Sequence, residues 1–541
     1  MREAERITGL PRIPEGFQVP DQTDAYRTEE GTQTLRPIQS EALFWLKRTG
    51  GLLGAISVGE GKTLIAFLAS RALGLDRCVL LVPPGVYDQV TRMLIESRRH
   101  WMIRPIEIVS YSALSQASGT TMLDTLDPEV IVADECHLLK RMGSARTKRV
   151  IRFFQSRPEC RFVALSGTVT ARSIRDYAHL ADLALRDGSP VPRDRYALLT
   201  WVKYIDADQE VQRGGGCAPS MCSFLSAERP GWQLGEEGAT HHARGAFRER
   251  LRATPGVVVS REELVKASLR ISLLHGIPYP ADEYKRVQAS GERPDGEVFE
   301  ADVDEWRCLR QLSLGFYYRW DWGDREPDQT WIDARREWGR FVRAELERHA
   351  CAGYDSPKLV SDRLHPDDPS PLAQAWNRWK AARERVGPDT VPVWIDDGVL
   401  QAAMARAEAE GDCLVWYESR AVAQRLAQLG FRVIFPGSPV PLVREGTLCL
   451  SIASHGTGLN LQHYSRNIVL EPPPGGHIWD QMIGRTHRAG QPEDTVLVSA
   501  LGHTPVFQRA IQRARSDASY RKQTTGVNQR LLYADFNEVR A

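Results

Sequence analysis

The stretch Ile56-Ser57-Val58-Gly59-Glu60-Gly61-Lys62-Thr63 constrains this chain more than any other. An apolar run, Leu52-Leu53-Gly54-Ala55-Ile56, precedes it, and a helix-forming run from Leu64 to Ala69 follows. Strand, glycine loop and helix in that order predict an α/β layer. Its loop turns backbone N–H groups inward at a helix N-terminus, where the peptide dipoles favour an anion. Gly59, Glu60 and Gly61 would then cradle phosphate, Lys62 would reach β- and γ-phosphates, and the Thr63 hydroxyl would bind Mg²⁺. The match is imperfect, because Ile56 stands where the strict spacing has its first glycine. A tight strand-to-helix turn without a ligand is the plainer reading, and the flanking strand and helix weigh against it.

The 541 residues suffice for about two to four domains. Lys plus Arg number 70 against 69 Asp plus Glu, so a nucleic-acid surface would have to arise from local clustering rather than bulk charge. The nine cysteines are scattered singly apart from Cys217 and Cys222, which suits a reducing compartment. The stretch Met1 to Arg6 is too charged for a signal peptide, and no apolar run approaches the ~20 residues that span a bilayer. These features predict a cytoplasmic protein without a membrane partner.

Residues 1–30 read as an N-terminal extension and residues 31–185 as a first lobe. Gln39, in Leu35-Arg36-Pro37-Ile38-Gln39, carries an amide that can offer adenine both a donor and an acceptor; a plain surface glutamine is the alternative. The continuous apolar run Cys78–Val82 predicts a buried parallel strand, and Ile106–Val109 (with Glu107 inside it), Val130–Ala133 and Phe162–Leu165 predict further strands. Ligands of open α/β sheets lie beyond the carboxyl ends of strands, which makes Pro83, Pro84, Ser110 and Tyr111 candidates to touch a bound polymer. The third run delivers Asp134-Glu135-Cys136-His137. Two carboxylates at a buried strand end are costly without a task. Asp134 is assigned to the metal and Glu135 to orienting and deprotonating the attacking water; an N-cap or surface acidic pair is the alternative. Ser166-Gly167-Thr168 ends the fourth run, where small hydroxyls can link the carboxylates to the cleft. Lys140, Arg141, Arg146, Lys148, Arg149 and Arg152 form either a solvated helix face or a phosphate-backbone contact, with the second favoured.

Residues 186–390 read as a mostly helical intervening region. Strands are expected at 256–260 and 269–274. The Trp- and Arg-rich run from Asp302 to Cys351 is read as packing between helices rather than as a base-stacking surface. Cys217, Cys222, His241 and His242 fit no common zinc spacing and read as free thiols and surface histidines. Pro366 to Pro371 reads as a linker. In residues 391–510 strand–helix alternation returns without a second phosphate loop. Ser454 to Leu461 reads as a glycine-punctuated turn entering a helix, and Gln481 to Gln491 as a helix with Arg485 and Arg488 on one face. Such a pair can reach a γ-phosphate or bind carboxylates within the lobe. Residues 511–541 read as a basic tail that braces the first lobe or contacts DNA.

Taken together, Leu35–Gln39, Gly59–Thr63, Asp134–His137, Ser166–Thr168, Gly456–Leu461 and Gln481–Gln491 run in an order that resembles the two-lobed motor of helicase superfamily two. The closest likeness is to its Swi/Snf branch of ATP-driven double-stranded DNA translocases. Gly484-Arg485-Thr486-His487-Arg488-Ala489-Gly490-Gln491 carries the branch's Gly-Arg-x-His-Arg-x-Gly-Gln signature. The resemblance implies an α/β fold of two tandem RecA-like P-loop lobes and an ATP hydrolase that uses ATP and Mg²⁺. By it, Gln39 contacts adenine, and Lys62 and Thr63 hold phosphate and metal. Asp134 and Glu135 run hydrolysis, Gly458 and Gln481 line the nucleotide, and Arg485 and Arg488 complete the site from the second lobe. Departures are Ile56-Ser57 for the usual Asp-Glu, Cys136 for glycine or alanine, Val169 for proline and Arg172 for asparagine. They point to a distant, compact member from a phage or mobile bacterial element, working in the bacterial cytoplasm. The expected function is nucleic-acid-stimulated ATP hydrolysis coupled to translocation on double-stranded DNA. Alternatives are a strand-separating DNA or RNA helicase on the same scaffold, with single-stranded DNA or RNA as polymer, and an ATP-gated adaptor or nuclease motor subunit.

Overall fold

The computed structural model describes residues 2–167, 172–206, 218–229, 239–260, 265–296, 299, 302–348, 357–365, 368–384, 387–441, 443–456 and 459–540. Two compact units emerge. The first comprises Met1–Glu262, Arg343–Arg363 and Ser516–Gln529; the second comprises Glu263–Val342, Leu364–Arg515 and Arg530–Ala541. Each is α/β and is built on a large parallel sheet. Among the described residues, no helix is long and apolar enough to cross a membrane.

The first unit contains β1 (Leu52–Ala55), β2 (Cys78–Val82), β3 (Ile106–Ser110), β4 (Val130–Asp134), β5 (Arg161–Ser166) and β6 (Val257–Val259), in the order β3-β2-β4-β5-β1-β6. All neighbours are parallel. Alternate residues of one strand enter opposite cores. Val79, Leu81, Ile131, Ala133, Phe162 and Ala164 pack on one face, and Leu80, Val82, Val130, Val132, Val163 and Leu165 on the other. Burial on both faces is why these strands read as unbroken apolar runs. The N-terminal stretch belongs here too: helix Arg2–Thr8 buries Ala4 and Ile7 in the first of these cores.

The second unit contains β7 (Ser268–His275), β8 (Phe316–Asp321), β9 (Asp389–Trp394), β10 (Leu414–Tyr417), β11 (Val433–Ile434), β12 (Leu448–Ser451), β13 (Arg466–Val469), β14 (Thr495–Leu501) and β15 (Asp535–Arg540). Seven of them form a parallel sheet, β11-β12-β10-β13-β14-β7-β15. β8 and β9 pair antiparallel beside helices Gln329–Arg348 and Pro371–Arg383. There Trp331 meets Trp379 edge-on at 5.3 Å, and Arg335 lies 5.2 Å over the Trp331 ring. The tryptophans are therefore packing, and Trp322, Trp331, Ile332, Ala334 and Ala382 make a small core of their own.

Linear boundaries at 185 and 390 do not follow these units. Val257–Val259 closes the edge of the first sheet against β1, whereas Ser268–His275 sits inside the second between β14 and β15. Both segments form the expected strands, but the hydrogen bonds that assign them to a sheet are made with residues far away in sequence. The C-terminal stretch divides in the same way: Val527 joins the first core and Asp535–Arg540 pairs with β7.

Candidate nucleotide site

The register brings the candidate residues together. Gly54, Leu165 and Asp134 share one row across β1, β5 and β4, so the loop after β1 and the acid pair after β4 leave the same end of the sheet with only β5 between them. The loop leads into helix Lys62–Leu73, whose N-cap is Gly61. Gly59 and Gly61 both adopt left-handed backbone, at φ 93° and 82°. A side chain is disfavoured there by conformation, and at Gly61 a Cβ would also lie 2.2 Å from the Gln39 amide nitrogen.

The loop is held from three directions. Arg36 donates from Nη1 to the Gly59 carbonyl at 2.5 Å. Gln39 is buried; its Nε2 donates to the Gly61 carbonyl at 3.1 Å and its Oε1 accepts the Arg36 backbone N–H at 2.8 Å. Each end of that amide keeps one further hydrogen-bonding position. From the far side, the Ser260 hydroxyl accepts the Ser57 N–H at 2.7 Å and donates to Glu60 Oε2. Burial raises the Glu60 pKa, and the Ser260 hydrogen bond offsets part of that rise.

Lys62 and Glu135 form the centre. The Lys62 ammonium donates to the Ile56 carbonyl at 3.1 Å and lies 3.7 Å from Glu135 Oε1. Glu135 adopts left-handed backbone, φ 53° and ψ 50°, an uncommon conformation for a residue with a side chain. Ser166 Oγ donates to Glu135 Oε2 at 3.1 Å, and His137 Nδ1 lies 3.0 Å from Ser166 Oγ and 3.3 Å from Glu135 Oε2. Ser166 thus provides the expected link. Burial alone would raise the Glu135 pKa, but Lys62, His137 and Ser166 outweigh it and hold the carboxyl well below the usual range. Asp134 goes the other way: burial first, then the Glu135 charge, push it up to about 7. A buried acid next to a second one, both facing a phosphate-type loop, is a donor set that suits a divalent cation, with Thr63 on the first turn of the loop helix as the hydroxyl donor.

Several expectations meet a different structure. Tyr111 does not face outward; it is fully buried and donates its hydroxyl to the Asp134 carbonyl at 2.9 Å. Pro84 and Ser110 do line an open cavity of about 600 Å³ beside the β3 edge, with Tyr87 and Asp88. The basic cluster is not one uniform face: Lys148 and Arg149 are buried, Lys140, Arg146 and Arg152 are half-buried, and Arg141 is exposed. Arg146, Lys148, Arg149 and Arg152 donate to the carbonyls of Leu138, Leu346, Leu114 and Thr120, which fold them inward. Cys222 is a half-buried free thiol, and Cys217 lies outside the described residues.

In the second unit, helix Gly476–Ile483 stops before the two arginines. Gly484 N–H bonds to Asp480, but Arg485 and Thr486 N–H groups bond three residues back, to Met482 and Ile483, so the chain tightens into turns. Arg485 and Arg488 are therefore not on one helical face. Arg485 is buried; its Nε donates to the Gly456 and Gln481 carbonyls at 3.0 and 3.1 Å, and its Nη1 to Leu459 at 3.0 Å. It stitches both ends of the glycine turn to the helix that carries Gln481, itself buried. Arg488 is half-buried. The glycine turn follows a short helix, Ile452–His455, instead of entering one. Gly458, with Thr457, Thr168 and Val169, lies outside the described residues. Two buried groups escaped the sequence reading: Ser260, and Arg530, which pairs with Asp480 at 2.9 Å and donates to the His487 carbonyl. No protein-family model and no curated protein matches this chain.

Proposed function

We propose that the protein is a nucleic-acid-stimulated ATPase that couples hydrolysis to movement along double-stranded DNA, on a scaffold of two RecA-like lobes of the Swi/Snf helicase type. The observation that carries this reading is the pairing of Lys62 with Glu135 at 3.7 Å, at the mouth of a glycine loop and beside a second buried acid. Lys62 binds the β- and γ-phosphates by trading its carbonyl and carboxylate partners for phosphate oxygens. That trade releases Glu135 to orient a water and accept its proton, while Ser166 and His137 keep the carboxylate aimed. Asp134 and Thr63 are the residues that would hold Mg²⁺, which when bound neutralises charge on the phosphate oxygens. The roles of Gln39 at adenine and of Arg485 and Arg488 at the γ-phosphate belong to the same proposal. Arg485 would give up a carbonyl partner to play its part. The preference for duplex DNA rests on the signature from Gly484 to Gln491.

The test is ATP turnover measured with duplex DNA, single-stranded DNA and RNA across a salt series. Stimulation by duplex DNA that fades steeply with salt supports the reading, because backbone phosphate contacts dominate such binding. Turnover indifferent to every polymer would favour the adaptor instead.

A further inference from the structure

A basic cavity lies in the first unit, in a part of the chain to which the phosphate loop contributes nothing. It has a volume of about 220 Å³ and is lined by Arg229, His242, Arg244, Gly245, Arg248 and Gln523. Arg244 and Arg248 stand one turn apart on helix Ala239–Arg252, so their side chains project from the same face. Gly245 between them is a clearance: a Cβ there would sit 2.7 Å from Arg229 Nη2 and would push the guanidinium off this face.

The donors are held, and only Arg229 among them has a carboxylate within hydrogen-bonding distance among the described residues. Arg244 donates to the Ile205 carbonyl at 2.8 Å, the Asp206 carbonyl at 2.7 Å and Gln523 Oε1 at 2.8 Å. All three acceptors are neutral and fix the guanidinium in place, while the Asp206 carboxylate acts on it only through space. Arg229 bonds one carboxylate, Glu249, at 2.8 Å, yet its Nε is buried with no hydrogen-bond partner among the described residues. Half-buried Arg248 has no hydrogen bond or ion pair among them either. A buried donor without an acceptor is costly, and native proteins seldom keep one without a ligand, ion or water to satisfy it. Among the described residues, no carboxylate lines the cavity.

We infer that this cavity is an anion site for a phosphate group, with Arg229, Arg244 and Arg248 as its donors. Three guanidinium groups in a space of this size match a tetrahedral oxyanion, for which planar forked donors are well suited. The phosphate can belong to a nucleic-acid backbone or to a small phosphate compound; the chemistry of recognition is shared. The inference stands independently of the nucleotide reading above.

The experiment uses the full chain carrying Lys62→Ala, which takes the phosphate loop out of the measurement, and titrates it with inorganic pyrophosphate by calorimetry. Saturable binding is expected, weakened about tenfold by Arg248→Gln and by Arg229→Gln, and partly restored by Arg248→Lys. Arg248 has no hydrogen bond or ion pair to lose among the described residues, so its variants should melt at the parent temperature, which separates loss of the site from loss of the fold. Pyrophosphate binding that is absent, or that is equal in the parent and Arg248→Gln, overturns the inference. A second arm measures duplex DNA affinity against salt. A slope that falls by about one on Arg248→Gln identifies a backbone phosphate as the occupant. An unchanged slope beside lost pyrophosphate binding identifies a small phosphate compound.

Discussion

Ser260 and Glu60 lie 200 positions apart in the chain and meet in one hydrogen bond, the serine hydroxyl donating to the buried carboxylate. The same oxygen takes the Ser57 N–H, so one side chain holds both shoulders of the glycine loop. Ser260→Ala removes a donor and an acceptor together and leaves Glu60 buried with less support. Titration with a fluorescent ATP analogue should show affinity lowered about tenfold, with stability down by about 1 kcal/mol. Ser260→Thr, which keeps the hydroxyl, should restore most of both.

The Lys62–Glu135 pair predicts two different failures. On the roles proposed, Lys62→Ala should lose ATP binding and turnover together, because the group assigned to the phosphates is gone. Glu135→Gln should bind ATP close to normally yet hydrolyse it at least about a hundredfold more slowly, because an amide cannot accept the proton. Binding and single-turnover hydrolysis measured side by side check the split.

Arg485 should matter to stability before it matters to chemistry. Its three carbonyl bonds tie Gly456 and Leu459 to Gln481, so Arg485→Ala should lower the stability of the second unit by about 2 kcal/mol, seen as an earlier thermal transition. Arg485→Lys should recover little, since a single ammonium cannot span the same fork of acceptors. Amide hydrogen exchange around residues 456 and 459–461 would report the loosened turn directly.

The buried Asp480–Arg530 pair predicts strong asymmetry. Asp480→Ala leaves a buried guanidinium without its counter-charge and should cost about 3–5 kcal/mol, measured by urea denaturation. Replacing both residues, Asp480→Ala with Arg530→Met, should cost less than the sum of the two single changes.

Two histidines set an acid limit. His487 and His503 donate from Nε2 to the Ala267 and Ser313 carbonyls, while their Nδ1 atoms are buried without a partner among the described residues. Burial holds both at about 4, below the ordinary 6.5. The unfolded chain therefore binds protons between these values and the folded one does not. Stability should be full above pH 6.5 and fall as pH drops toward 4, by up to about 1.4 kcal/mol per pH unit for each histidine. His487→Gln with His503→Gln keeps a donor to each carbonyl and should flatten melting temperature against pH over that range.

What was legible in the sequence was local or periodic. The strands announced themselves because both faces are buried, so Val79 to Leu81 and Val130 to Ala133 carry no polar alternation. The glycine loop and the acid pair were legible because their chemistry is compressed into a few adjacent residues. Partnerships across the chain were not legible. Ser260 looked like the end of a strand, Arg149 like surface charge, and Tyr111 like a polymer contact; each is defined by a carbonyl or carboxylate supplied from elsewhere. Helical spacing misled at Arg485 and Arg488, because the helix ends at Ile483 and tightens into turns.

The interleaving of the two units bears on how the protein is made. A ribosome delivers residues in order, yet the first unit draws on Arg343–Arg363 and Ser516–Gln529 as well as on its opening stretch. Until Val527 emerges, the core that receives it is short of a side chain, and Arg172 waits for Asp517. The nascent chain thus carries a first core that lacks Val527 through the synthesis of more than two hundred residues after Glu262, an interval in which chaperone binding becomes relevant.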